Sequence, residues 1–144
     1  MLTKKSKYAL KALLYLAKNN DLVQISELSQ KEGIPQKFLE NILLELRKHG
    51  ILASKRGKEG GYMLGKPPEQ ISFGQIIRIL DGPLAYVPCV SVMAYQKCEE
   101  CEDETTCRIR KVMKKLRDET ASILDGTNLR DAIQNDHLIN NLSS

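Results

Sequence analysis

The stretch Ser26-Glu-Leu-Ser-Gln-Lys-Glu-Gly-Ile-Pro-Gln-Lys-Phe-Leu-Glu-Asn-Ile-Leu-Leu-Glu-Leu-Arg-Lys-His-Gly50 decides the fold. Ser26 is a helix N-cap candidate, and Gly33 a stop, so residues 26–32 read as one short helix. Pro35 suits the first turn of a second helix, because its missing N–H would have had no intrahelical partner there. Phe38, Leu39, Ile42, Leu43 and Leu46 then recur at helical spacing through Lys48, and Gly50 ends the run. Two short helices about a glycine predict a helix-turn-helix whose second helix turns Gln36, Lys37, Glu40, Asn41 and Arg47 outward.

Downstream, Ile51-Leu-Ala-Ser-Lys55 and Tyr62-Met-Leu64 flank the charged, glycine-rich Arg56-Gly-Lys-Glu-Gly-Gly61, the pattern of a β-hairpin. A hairpin after a helix-turn-helix makes a winged helix. Upstream, residues 4–18 read as a helix with Leu10, Leu13, Leu14 and Ala17 on an apolar face and Lys4, Lys7, Lys11 and Lys18 on another. After the break at Lys66-Pro-Pro68, Ser72-Phe-Gly-Gln75 is a capping-box pattern that opens a helix through Asp81, closed by Gly82-Pro83.

Residues 82–104 show no periodicity. From Cys107 to Asp125 the apolar positions Ile109, Met113, Leu116 and Ile123, widened by Val112 and Leu124 with Thr120 in the seam, fit a helix of about five turns at ~3.6 residues per turn. Such a helix leaves one face apolar, and a second copy of the chain would cover it while doubling the contacts to a duplex. Residues 128–133 read as one more short helix, and 136–144 as a frayed tail. The expected fold is therefore mainly α with a small β-hairpin wing: a winged helix-turn-helix over 1–81, a cysteine-bearing sensing loop over 82–106, and a dimerisation helix and tail over 107–144.

The chain has 144 residues, 42% apolar and 28% charged, enough for a buried core. Its net charge of +4 is unevenly placed: residues 1–80 carry 14 Lys or Arg against 7 Asp or Glu, and residues 81–144 carry 8 against 11. The positive excess therefore lies with the helix-turn-helix, where phosphate contacts require it. A charge stripe alone is more often a solvated helix face, but here it accompanies the reading helix and the wing. No apolar stretch reaches the ~18–20 residues of a membrane helix, and the basic start runs straight into an amphipathic helix, so a cytoplasmic protein is expected.

All four cysteines, Cys89, Cys98, Cys101 and Cys107, fall within 19 residues of the acidic part. Four soft thiolates so close suggest metal or redox chemistry more than a disulfide framework. They suit zinc or an iron–sulfur cluster, and Cys98-Glu-Glu-Cys101 has metal-knuckle spacing, although the set matches neither ferredoxin spacing nor a paired zinc ribbon. Free thiols, or a Cys98–Cys101 redox pair, are the alternative. Glu99, Glu100, Glu102, Asp103 and Glu104 disfavour a bare thiolate nearby, and a bound cation would relieve that charge. His49 and His137 lie away from the cysteines in sequence.

Four segments resemble the bacterial Rrf-two family, which includes the IscR-, NsrR- and CymR-type transcriptional regulators: Lys7-Tyr-Ala-Leu-Lys-Ala-Leu-Leu14, Ile34-Pro-Gln-Lys-Phe-Leu-Glu40, Leu46-Arg-Lys-His-Gly-Ile-Leu52 and Arg56-Gly-Lys-Glu-Gly-Gly-Tyr62. The resemblance runs from about Leu2 to Leu142. It implies a homodimeric winged-helix repressor or activator on a palindromic duplex operator, many members sensing an iron–sulfur cluster, nitric oxide or thiol status. By position, Lys37, Glu40 and Asn41 fall where the family's helix faces the major groove, Arg56 where its wing arginine enters the minor groove, and Tyr62 at its wing aromatic. Lys37 and Asn41 are suited to guanine and adenine edges, and Arg56 to a narrow minor groove. Lys4, Lys7, Gln36 and Lys58 complete the candidate DNA surface.

The cluster-binding members resemble this chain in three cysteines of the same segment. Their fourth ligand is a His three residues after the last cysteine, or a side chain of the partner's first helix; those positions carry Arg110 and Lys7 here, which are not ligands at neutral pH. Cys98 is extra to the three-cysteine pattern and could take the vacancy, giving a thiolate-only 2Fe-2S cluster held by Cys89, Cys98, Cys101 and Cys107. Otherwise the protein is a cluster-free thiol or zinc-responsive regulator. Two further readings are a thiol oxidoreductase, which lacks an adjacent base and a thioredoxin-like context, and a winged-helix module that docks a protein on its basic face.

Overall fold

The computed structural model describes residues 2–134, so the tail expected over 136–144, with His137, lies outside the described residues. Helix α1 spans Lys4–Asn19; Thr3 caps it by accepting the Ser6 N–H, and Asn20 closes it in a left-handed conformation. Its buried face is Ala9, Leu10, Ala12, Leu13, Leu16 and Ala17, with Leu14 packed at the margin. Helices α2 (Ile25–Glu32) and α3 (Gln36–Lys48) follow, joined through Gly33 at φ 65°. That left-handed turn is open to glycine at little cost, and it lets Leu28 and Ile34 enter the core together.

Two helix starts differ from the sequence expectation. Helix α2 begins at Ile25 with Gln24 at its N-cap position, so Ser26 lies inside the first turn. The cause is tertiary: Val23 pairs with Tyr62, N–H to carbonyl in both directions at 2.9 and 2.8 Å, and holds the backbone extended until the residue before the helix. Pro35 is the N-cap position of α3 and not its first turn.

Strands β1 (Leu52–Lys55) and β2 (Gly61–Leu64) pair antiparallel, with Leu52 opposite Leu64 and Lys55 opposite Gly61. The Val23 bridge adds a third extended segment. A Cβ at Gly61 would collide with the Val23 backbone, so the close approach there requires glycine. After a 3-10 turn at Pro68–Gln70, α4 spans Phe73–Asp81, its N-terminus capped by Ser72, which accepts the Gln75 N–H at 3.1 Å. The segment expected to be irregular contains a second 3-10 turn, Pro88–Val90, of which Cys89 and Val90 are buried, as is Ser91 after it.

Helix α5 spans Arg108–Asp125, with Cys107 at its N-cap, and α6 spans Leu129–Gln134. Helix α6 closes the head. Leu129 is fully buried in the same core as α1 and α3, its N–H donates to the Ile71 carbonyl, and Arg130 pairs with Glu69. The short helix that the sequence groups with the dimerisation segment thus packs with the winged-helix residues.

Helix α5 buries none of its 18 residues completely. Met113, Arg117, Thr120 and Leu124 are half-buried, while Ile109, Val112 and Ile123 are 62–68% exposed and Leu116 is 38% exposed. The apolar stripe read as one face therefore divides: Met113, Thr120 and Leu124 lie on the shielded side, and Ile109, Val112, Leu116 and Ile123 form the open one. No helix among the described residues is long and apolar enough to cross a membrane.

Candidate nucleic-acid interface

Burial of Leu39, Ile42, Leu43 and Leu46 fixes the rotation of α3 about its axis, and leaves Gln36, Lys37, Glu40, Asn41 and Arg47 exposed. These are the five side chains the helical spacing turns outward. Phe38, expected on the apolar face, is 45% exposed; its ring stands edge-on to Tyr8 of α1 at 5.8 Å and 86°. The Lys4 ammonium lies 5.9 Å from the Tyr8 centroid, so two rings connect Lys4 to the first turn of α3. Lys5 joins Glu45 at 2.6 Å and ties the same two helices.

The lysine stripe of α1 is not uniform. Lys4, Lys7 and Lys18 are exposed, whereas Lys11 is half-buried and donates to the Glu32 carbonyl at 2.9 Å. It satisfies a C-terminal carbonyl of α2 and braces the helix-turn-helix.

Arg56 and Lys58 are exposed at the wing tip. Two polar contacts aim the wing. The Gln24 side-chain amide donates to the Lys58 carbonyl at 2.9 Å, and the Arg47 guanidinium donates to Ser54 Oγ of β1 at 3.0 Å. Between α3 and the wing lies a cleft of about 480 Å³, with Gln36 and Arg47 on one side and Lys55, Arg56 and Lys58 on the other. Gln36, Arg56 and Lys58 thus converge on one feature. Lys37, Glu40 and Asn41 lie on the exposed face of the same helix, and Lys7 lies on α1. Sequence patterning missed the parts of Gln24 and Ser54, whose only signal is a polar residue beside a strand.

The cysteine segment packs against α5. Cys89 is 5% exposed and Val90 1%, and Arg117 of α5 donates to the Val90 carbonyl at 2.6 Å. The Gln96 N–H bonds the Pro88 carbonyl at 3.2 Å, returning the chain so that Cys98 reaches Cys89. The Cys98 thiol is held above its ordinary pKa, first by its hydrogen bond to Cys89, then by burial and by the negative charge of Cys89, Cys101 and Glu100. Cys101 closes a turn onto the Cys98 carbonyl at 3.1 Å, and Cys107 Sγ accepts the Arg110 N–H at 3.4 Å. Tyr95 hydrogen-bonds Glu104, which raises the phenol above its usual pKa.

Four thiols suit a soft metal in kind. In arrangement they do not: among the described residues no three His, Cys, Asp or Glu side chains are gathered to hold a metal ion. Cys98 stands beside Cys89, while Cys107 serves as the cap of α5. Cys89, Cys98, Cys101 and Cys107 therefore fit a cluster by chemistry and not by geometry.

The family described as "Rrf2: Iron-dependent Transcriptional regulator" matches residues 2–135. An rrf2-like HTH-type regulator of Rhodobacter capsulatus is 45% identical over 138 residues, 92% of each chain. The HTH-type transcriptional regulator IscR of Pectobacterium atrosepticum is 30% identical, over 96% of this chain and 82% of that one. Among solved structures, CymR (YrzC), the global cysteine regulator of B. subtilis, superposes with a TM-score of 0.77 at 29% identity, covering 93% of this chain and 96% of that one. T. potens IscR gives 0.72 at 25% identity, covering 93% and 86%.

Proposed function

The chain belongs to the Rrf2 family of winged-helix transcriptional regulators and is not an enzyme, and from that premise we propose that it binds a palindromic operator in duplex DNA as a homodimer, in the cytoplasm. The observation that carries the reading is the exposed polar face of α3 beside a wing whose tip holds Arg56 and Lys58. Lys37, Glu40 and Asn41 meet base edges in the major groove, Arg56 enters the minor groove, and Lys4, Lys7, Gln36 and Lys58 meet phosphates. The open stripe Ile109, Val112, Leu116 and Ile123 supports the dimer, because two copies packed there bury what one leaves in water.

The cysteine segment is the signal-receiving part. Arg117 ties Val90, next to Cys89, to the helix we assign to dimerisation, so a change of state at the thiols has a direct route to the spacing of two reading heads. Such a signal acts only by stabilising one DNA-binding conformer over another. The family description supports iron as the signal source, and the four free thiols of the segment support a cluster-free thiol state.

Anaerobically purified protein tests both parts. Iron, sulfide and zinc per chain are measured with the absorption spectrum, and sedimentation and binding to a duplex selected from a random pool are compared with and without the metal. A dimer whose affinity changes with metal or thiol state is expected. A monomer, or equal affinity in every state, would sink the corresponding part.

A further inference from the structure

A second cavity, of about 240 Å³, lies between the C-terminal end of α1 and the foot of the wing. The chain leaves β2 at Gly65, whose N–H donates to the Ile51 carbonyl at 2.8 Å, and passes into Lys66, Pro67 and Pro68. Two prolines have no N–H with which to extend the ladder, so the strand stops there and the segment leaves a space beside α1. Leu16, 1% exposed, and Pro68, also buried, form the floor with the half-buried Leu64. Asn20, Asp21 and Lys66 are the only polar side chains that line it. Asp21 is exposed and Lys66 half-buried, and among the described residues neither has an ion-pair partner within 4.0 Å. One carboxylate and one ammonium therefore share a small cavity without meeting each other.

We propose that this cavity binds a free α-amino acid with an aliphatic side chain. Lys66 meets its carboxylate, Asp21 its ammonium, and the side chain lies on Leu16, Leu64 and Pro68. A zwitterion matches both charges at once, whereas a ligand with one charge leaves the other protein group unanswered. The Asn20 amide carries both donors and an acceptor and suits either end of the ligand. The cavity is smaller than the ~300–1,000 Å³ of sites that enclose drug-sized molecules, so the occupant is of single-residue size. Asp21 comes two residues before Val23, and Leu64 two after Tyr62, the pair whose backbones bond each other. The occupant thus spans the two segments that this bridge joins, and favours the conformer in which the wing is held to α1.

Binding is measured on the full chain without DNA, so it stands or falls apart from the DNA-binding reading above. Titration calorimetry uses L-valine, L-leucine and L-methionine at millimolar concentration, with glycine, isoamylamine and isocaproate as probes that lack the side chain, the carboxylate and the ammonium. The three aliphatic amino acids are expected to bind, and the other three probes to bind at least ~10-fold more weakly. Asp21→Asn and Lys66→Gln should each weaken L-leucine by roughly 10-fold. Melting curves without ligand should be unchanged in both variants, which separates binding from folding. Hydrogen exchange at the Val23 and Tyr62 amides should slow when L-leucine is present. Absence of binding by all three amino acids, equal binding of isoamylamine or isocaproate, or an affinity for L-leucine that survives both substitutions would each overturn the proposal.

Discussion

Arg78 of α4 holds Asp125, the last residue of α5, through both terminal nitrogens, at 2.5 and 2.9 Å. Gly74, one turn earlier in α4, leaves the room that this requires, since a Cβ there would strike the Asp125 carboxylate. The clasp fastens the far end of the exposed helix to the winged-helix head. Helix α4 is itself fastened to α1, because Asp81 accepts the Thr3 hydroxyl at 2.5 Å.

The clasp is sensitive to acid. The Arg78 hydrogen bond is the main reason that the Asp125 pKa is lowered, against the opposing effect of burial. A carboxylate with a lowered folded pKa stabilises the fold above its unfolded pKa of about 4, and loses that contribution as pH falls through the folded value. Asp125→Asn should therefore lower stability by about 0.5–1 kcal/mol near neutrality, a magnitude set by partial exposure, and by little at the lowest pH at which the protein still folds. Paired melting curves at the two pH values measure this.

The same geometry makes a double-mutant test. Ala in place of a helical Gly gains about 0.5–1 kcal/mol of backbone entropy. In the native chain Gly74→Ala should gain nothing or destabilise, because it breaks the clasp. In an Asp125→Ala background the clash is gone, and Gly74→Ala should stabilise. Additive effects would mean that Gly74 and Asp125 do not touch in solution.

Arg56→Ala should weaken binding to a selected duplex by about 1–3 kcal/mol and leave the melting temperature unchanged, since the side chain is exposed at the wing tip. A gel shift at fixed salt reads the first, and thermal denaturation the second. An unchanged affinity would remove the wing from the DNA contact.

Glu at Val112 or Ile123 should produce folded monomers. Both side chains are more than 60% exposed in one chain, so a charge there harms only an interface between copies. Light scattering after gel filtration gives the mass, and circular dichroism the fold. A dimer that survives both substitutions would move the interface elsewhere.

Leu129→Ala should destabilise the winged-helix head by about 2–5 kcal/mol, as for other fully buried leucines. Chemical denaturation followed by far-ultraviolet dichroism measures it. A smaller loss, within the range of a surface substitution, would detach α6 from the head.

Local rules were enough for most of the architecture. Helix spacing over Phe38–Leu46, the stop at Gly33, the Ser72 cap and the glycine-rich tip between two short apolar runs each act within a few residues, so the sequence alone determined a winged helix-turn-helix, its outward-facing side chains and the long helix behind it. What depended on distant partners was decided only by the tertiary structure. Val23 pairs with Tyr62 and moves the start of α2; Leu129 enters the head from the far end of the chain; α5 turns Met113 inward and Ile109 outward because Arg78 and Arg117 fix its rotation. The cysteines show the same division. Their number and crowding are legible in the chain, but which sulfurs meet is set by the Gln96–Pro88 backbone bond and the capping of α5, contacts whose partners no local periodicity encodes.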